Sequence, residues 1–123
     1  MFSPEPSGSE LPFRAIVTHS EDQVVVALSG ELDLAGAPQL RECFAQLADE
    51  AATQVVLDLT DLDFVDSTGL SVLVMEFHRT QAAGGSTVMR NPSPSVMRIL
   101  EITGLATVFS IETDGSPMPA AGV

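Results

Sequence analysis

The chain is 123 residues long, 45% apolar and carries a formal net charge of −12, which fits one domain with a full hydrophobic core and excludes a wholly disordered chain. The acidity argues against nucleic acid and an anionic membrane surface as partners, because neutralising phosphates needs basic clusters and the sequence has none; it favours a partner with a basic patch. No apolar run approaches the roughly 20 residues of a membrane span.

Met1 to Leu11 is rich in Ser, Pro, Gly and Glu, without the basic region and apolar block of a signal peptide. It is expected to be a flexible arm, as is the tail from Gly115 to Val123, which leaves a core from Pro12 to Asp114. Phe13 to His19 alternates Phe13, Ala15 and Val17 against Arg14, Ile16 and Thr18, and predicts a first strand. A short turn, Ser20 to Gln23, leads into a nearly all-apolar strand from Val24 to Ser29, so the two should pair antiparallel. Gly30-Glu31-Leu32-Asp33 leaves that strand, and Pro38 suits the first turn of a helix. That helix carries Leu40, Cys43, Phe44, Leu47, Ala48 and Ala51 at helical spacing. Cys43, the sole cysteine, excludes an internal disulfide, fits a reducing cytoplasm and reads as a small buried hydrophobe.

Gln54 to Leu59 predicts a third strand, and Thr68 to about Ala83 a second helix with Leu70, Leu73, Val74 and Phe77 on one face, ended by Gly84-Gly85. Thr87 to Arg90 is a short fourth strand. Asn91-Pro92-Ser93-Pro94-Ser95 is a stiff loop with a capping serine, and Pro94 can start a third helix with Val96, Ile99, Leu100 and Thr103 as its buried stripe. Gly104 stops it, and Val108 to Ile111 is the last strand. The order β-β-α-β-α-β-α-β predicts an α/β domain with a mostly parallel sheet of four to five strands and an antiparallel N-terminal strand. Asp33, Asp66 with Ser67, and Asn91 all follow carboxyl ends of strands, where such sheets carry function.

The most informative segment is Phe64-Val65-Asp66-Ser67-Thr68-Gly69-Leu70, a strand-to-helix turn that puts Ser67 at a helix start. The first N–H groups there have no intrahelical acceptor and the helix dipole is positive, so Ser67 is either a plain N-cap or a residue that can carry a phosphate. Val72 and Met75 fall off the main apolar stripe of this helix; they either face solvent beside Ser67 as a docking surface or are buried on a second side.

Catalytic signals are missing. All five basic residues are arginines, Arg14, Arg41, Arg79, Arg90 and Arg98, which removes the lysine of a phosphate loop, a Schiff base or a two-component receiver. His19 and His78 are far apart, and Ser67 has no histidine or lysine nearby to act as its base. Asp58, Asp61, Asp63 and Asp66 lack the spacing of a calcium loop and read as solvated loop carboxylates, so neither a metal nor a cofactor is expected.

In order and spacing these segments resemble the anti-sigma factor antagonist family, built on the STAS domain, over about residues 13 to 112. The resemblance rests on Gly30-Glu31-Leu32-Asp33, on Val56-Leu57-Asp58-Leu59 followed by Phe64 to Leu70, on Gly84-Gly85, and on Asn91-Pro92-Ser93-Pro94 through Leu100 to Leu105. It implies a cytoplasmic partner switch and not an enzyme. The unphosphorylated protein binds an anti-sigma factor that is also a serine kinase of the histidine-kinase-like ATPase type, and the sigma factor is freed. Phosphorylation of Ser67 ends the complex, and a PP2C-type phosphatase restores it. Ser71 stands where the family commonly has glycine. The expected partner-binding set is Asp33, Asp66, Ser67, Thr68, Gly69, Leu70, Ser71, Val72, Met75 and Asn91. The competing reading is a STAS scaffold or interaction subunit of a sensor or transport-associated complex.

Overall fold

A computed structural model describes residues 12–113 and 116–117. The elements run β1 (Arg14–His19), β2 (Val24–Leu32), α1 (Ala37–Asp49), β3 (Gln54–Val65), α2 (Ser67–Ala82), β4 (Ser86–Arg90), α3 (Pro94–Ile102), a single 3-10 turn (Leu105–Thr107), β5 (Ser110–Thr113) and β6 (Ser116–Pro117). They form one sheet in the order β1-β2-β3-β4-β5-β6. β1 pairs antiparallel with β2, as expected from the short turn, and β2 through β5 are parallel. The expected arm, Met1 to Leu11, lies outside the described residues. Within the expected tail, 116–117 pair antiparallel with β5.

A parallel sheet that advances one strand at a time by right-handed crossovers gathers its helices on one face. The side chains on that face are the core: Val24, Val26, Leu28 and Leu32 of β2, Val55, Leu57, Leu59, Leu62 and Val65 of β3, and Met89 of β4 are buried. The alternate residues Val25, Ala27 and Val88 are half-buried, and Ile16 is exposed. α1 contributes Leu40, Phe44 and Leu47, and α3 contributes Val96 and Leu100. The helical stripes read from spacing extend too far at their ends: Ala48, Ala51 and Thr103 are exposed.

Two strands are longer than their apolar runs. β2 continues through Gly30-Glu31-Leu32 and β3 through Val65, so Asp61 and Asp63 lie on a strand and not in a loop. The pairing shifts register between Ala27 and Ser29 and again between Gly30 and Glu31. Each shift inserts one extra β3 residue, which breaks the period-2 pattern while keeping Leu59, Leu62 and Val65 on the core face. Gly30 sits at φ 84°, a backbone state that glycine adopts without a Cβ penalty. β4 and β5 do not follow this extension: the last β3–β4 pair is Asp58 with Arg90. A two-stranded ribbon of β2 and β3 therefore projects past the rest of the sheet, and the candidate site sits at its tip.

Candidate functional site

Asp66, not Ser67, caps α2. Its backbone is extended (φ −99°, ψ −176°), and its Oδ1 accepts the Gly69 N–H at 2.9 Å, the N-cap arrangement. Its Oδ2 accepts the Leu34 N–H at 3.2 Å from the loop between β2 and α1. Its own N–H donates to the Leu32 carbonyl at 3.0 Å. Asp66 thus ties β2, the following loop and α2 into one unit. The expectation that Ser67 could be the cap is corrected: a carboxylate one residue earlier holds that position.

This leaves Ser67 as the first residue of α2, exposed, with its hydroxyl making no hydrogen bond among the described residues. The N–H groups of Ser67 and Thr68 precede the first intrahelical bond, so they point at whatever occupies the space beyond the helix end. Asp33 lies across from them. Its Oδ1 accepts the Ala35 and Gly36 N–H groups at 3.0 and 3.1 Å, and its carbonyl accepts those of Gly36 and Ala37, which turns the chain into α1. The tip is strongly negative, with Glu31, Asp33, Asp61, Asp63 and Asp66 on the ribbon or at its end. Among the described residues no group of three His, Cys, Asp or Glu side chains is placed to hold a metal ion.

Gly69 is buried because α2 starts in close contact with the ribbon. A Cβ there would stand 2.6 Å from Leu32 Cγ, 2.8 Å from the Leu32 carbonyl oxygen and 2.9 Å from Val65 Cγ2. Leu70 and Val72 are buried too, at 8% and 1% exposure. All three were expected to touch a partner; in the structure Gly69 and Leu70 pack beneath the tip, and Val72 lies at the floor of the cleft between α1 and α2. Val72 is covered because α2 packs against α1 as well as the sheet. Of the two alternatives, Met75 takes the exposed one, at 59% exposure, and Val72 the buried one. Ser71 is exposed, its hydroxyl donating to the Thr68 carbonyl at 2.8 Å, and Thr68 is half-buried.

Asn91 does not share the tip. It follows the last β3–β4 pair, level with Leu28 of β2, and Leu32 is four residues further on. At about 3.3 Å per residue, Asn91 is set back by about 13 Å. The strands were expected to end together, and the ribbon extension is why they do not. The loop after Asn91 does reach the ribbon: Ser93 Oγ donates to the Leu62 carbonyl at 3.1 Å and accepts the Val96 N–H at 3.2 Å as the cap of α3.

Two apolar side chains missed by the sequence reading flank the tip. Leu34 is 71% exposed beside Asp33, and Phe64 is 42% exposed on the face of the ribbon away from the core. Their signal lay in the sequence, since Leu34 interrupts a loop of small residues and Phe64 immediately precedes Val65-Asp66. A buried ion pair was also missed. Glu76 on α2, 2% exposed, receives Arg79 Nε at 2.9 Å and Nη2 at 2.7 Å, which holds the Arg79 guanidinium pKa above its ordinary value. Cys43 is half-buried nearby; burial pushes its thiol up, and the Glu76 and Glu50 carboxylates add to this. Such a thiol is a poor nucleophile at neutral pH.

The described residues form a one-faced α/β sheet whose projecting ribbon presents an exposed serine at a capped helix start. The sequence profile of the STAS domain matches residues 14–115. The chain belongs to the STAS domain family, among the anti-sigma factor antagonists. It is 37% identical over 95 residues to the anti-sigma-B factor antagonist of Bacillus subtilis (strain 168), covering 77% of this chain and 86% of that one. Its fold matches the anti-sigma factor antagonist SpoIIAA in its unphosphorylated form with a TM-score of 0.72 at 26% identity, over 82% of this chain and 90% of that one. The Bacillus cell fate determinant SpoIIAA in the phosphorylated form matches with a TM-score of 0.65 at 26% identity, over 84% and 93%.

Proposed function

We propose that this protein is an anti-sigma factor antagonist that switches partners by phosphorylation at Ser67. Unphosphorylated, it binds a cytoplasmic anti-sigma factor with serine kinase activity and frees the sigma factor. The kinase transfers phosphate to the Ser67 hydroxyl, the complex dissociates, and a PP2C-type phosphatase resets the switch. The chain itself performs no reaction.

The observation that carries this reading is the exposed Ser67 hydroxyl, left without a hydrogen bond among the described residues because Asp66 has taken the capping role. A serine that holds no structure can be modified without a folding penalty. A phosphate there adds about −1.5 to −2 charges beside Asp66 and Asp33. The nearby Ser67 and Thr68 N–H groups and the α2 dipole tolerate it within the free protein. At an interface the same dianion must be desolvated against the ribbon's carboxylates, which is costly. Exclusion at one tip then reverses binding without refolding. The existence of SpoIIAA structures in both phosphorylation states supports a switch of this kind.

The test is to incubate the chain with its cognate anti-sigma kinase and ATP and to locate the phosphate by mass spectrometry. Phosphate on Ser67, and none on the Ser67→Ala protein, is expected. Phosphate on Thr68 or Ser71, or none at all, would overturn the assignment.

A further inference from the structure

We infer that the cleft between α1 and α2 is the second half of the partner footprint and receives one apolar anchor residue of the anti-sigma kinase, flanked in that partner by a carboxylate that pairs with Arg41. The inference rests on the reading of Ser67 as the partner switch and extends its surface along α2.

The cleft has a volume of about 330 Å³. Phe44, Ala45 and Ala48 of α1 and Val72 and Met75 of α2 make it apolar, and Arg41 and Arg79 stand at its sides. That volume is at the bottom of the range of small-molecule sites, roughly 300–1,000 Å³. It exceeds one large side chain, so the groove has room for an apolar anchor residue together with the partner residues beside it, the usual form of an interface anchor. Glu76, which also lines the cleft, has both carboxylate oxygens occupied by Arg79, so the pair offers little net charge to a partner. Arg41 differs: it is exposed and forms no hydrogen bond or ion pair among the described residues. In a chain with 17 acidic and 5 basic side chains, an unpaired arginine beside an apolar socket selects for an acidic group next to the anchor.

The cleft is continuous with the Ser67 tip. Thr68, Ser71, Met75 and Arg79 follow one another at i, i+3, i+7 and i+11, which places them along a single edge of α2. At 1.5 Å per residue that edge spans about 17 Å. The tip alone offers Asp33, Leu34, Phe64, Asp66, Ser67 and Thr68, far fewer than the roughly 20 to 30 residues of a stable interface side. The exposed Met75 is the apolar step between the tip and the socket.

The test is calorimetric titration of the full chain with its cognate anti-sigma kinase, comparing wild type with Met75→Glu, Arg41→Glu and Arg98→Glu. Met75, Arg41 and Arg98 are all exposed, so the variants keep the fold, which melting curves verify. Arg98→Glu, on α3, makes the same change in net charge as Arg41→Glu at a position that does not line the cleft. Loss of affinity by about tenfold or more for Met75→Glu and Arg41→Glu, with Arg98→Glu like wild type, supports the inference. Wild-type affinity in the two cleft variants overturns it while leaving the Ser67 switch intact. Equal weakening in all three variants also overturns it, since long-range charge then explains the effect. Failure of the wild type itself to bind overturns the partner-switch reading and this inference with it.

Discussion

Replacing Gly69 with alanine asks whether the start of α2 is held where the site needs it. In an ordinary helix interior the change stabilises by about 1 kcal/mol, because alanine restricts the unfolded chain and glycine does not. Here the new methyl group meets three atoms closer than 3.0 Å: Leu32 Cγ, the Leu32 carbonyl oxygen and Val65 Cγ2. The two side chains can yield a little, but the Leu32 carbonyl is fixed by the Asp66 N–H at 3.0 Å. Overpacking of this kind costs about 1–3 kcal/mol, so the net effect is a loss of up to about 2 kcal/mol. That corresponds to a melting temperature lower by up to roughly 15 °C for a domain of this size. Urea denaturation measures it, and adding Leu32→Ala localises it: Gly69→Ala should cost about 1 kcal/mol less in the Leu32→Ala background than alone. Equal or higher stability of Gly69→Ala, with no coupling to Leu32, would refute the close approach of helix and ribbon.

Other expectations follow from the same geometry. Asp66→Ala removes the α2 cap and the tie to the Leu34 N–H, and should lower stability by about 1–2 kcal/mol in denaturant titration. Glu76→Gln keeps the shape but removes the charge that Arg79 holds bidentately, and should cost about 2 kcal/mol by the same measurement. The chain has no lysine and no tyrosine, so Cys43 is the one side chain that titrates at moderately alkaline pH. Its thiol is raised above the ordinary 9.0 on folding, so the unfolded chain gives up the proton first. Stability should therefore be complete below that value and fall as pH rises through it toward the higher folded pKa, and Cys43→Ser should flatten the profile.

The sequence made the fold legible because the core strands obey simple periods. Val24 to Leu28 and Val55 to Leu57 are apolar runs between turns, and Pro38 and Pro94 mark helix starts. The ribbon was not legible, since two bulges shift the pattern of β3 and scatter Asp58, Asp61 and Asp63 among its core residues. The segment Asp66 to Leu70 stood out as a strand-to-helix turn, but two capping residue types stand side by side there. Only the backbone angles decide that Asp66 caps and Ser67 is released. Val72 and Glu76 were hidden for a different reason. They face α1, a contact set by tertiary packing, and a glutamate four residues from a valine reads as a solvated face unless the arginine that neutralises it is placed in space.

In the proposed switch, phosphate on Ser67 turns binding of the anti-sigma kinase off. The direct measurement is the affinity of the purified chain for its anti-sigma kinase, by calorimetry without nucleotide turnover, before and after complete phosphorylation of Ser67. A loss of affinity by about 100-fold or more is expected, as desolvating the dianion costs several kcal/mol. Backbone amide shifts should stay unchanged outside the Asp33 loop, Ser67 and the first turn of α2. Equal affinity of the two forms, or shift changes spread across the sheet, would contradict a local switch at the ribbon tip.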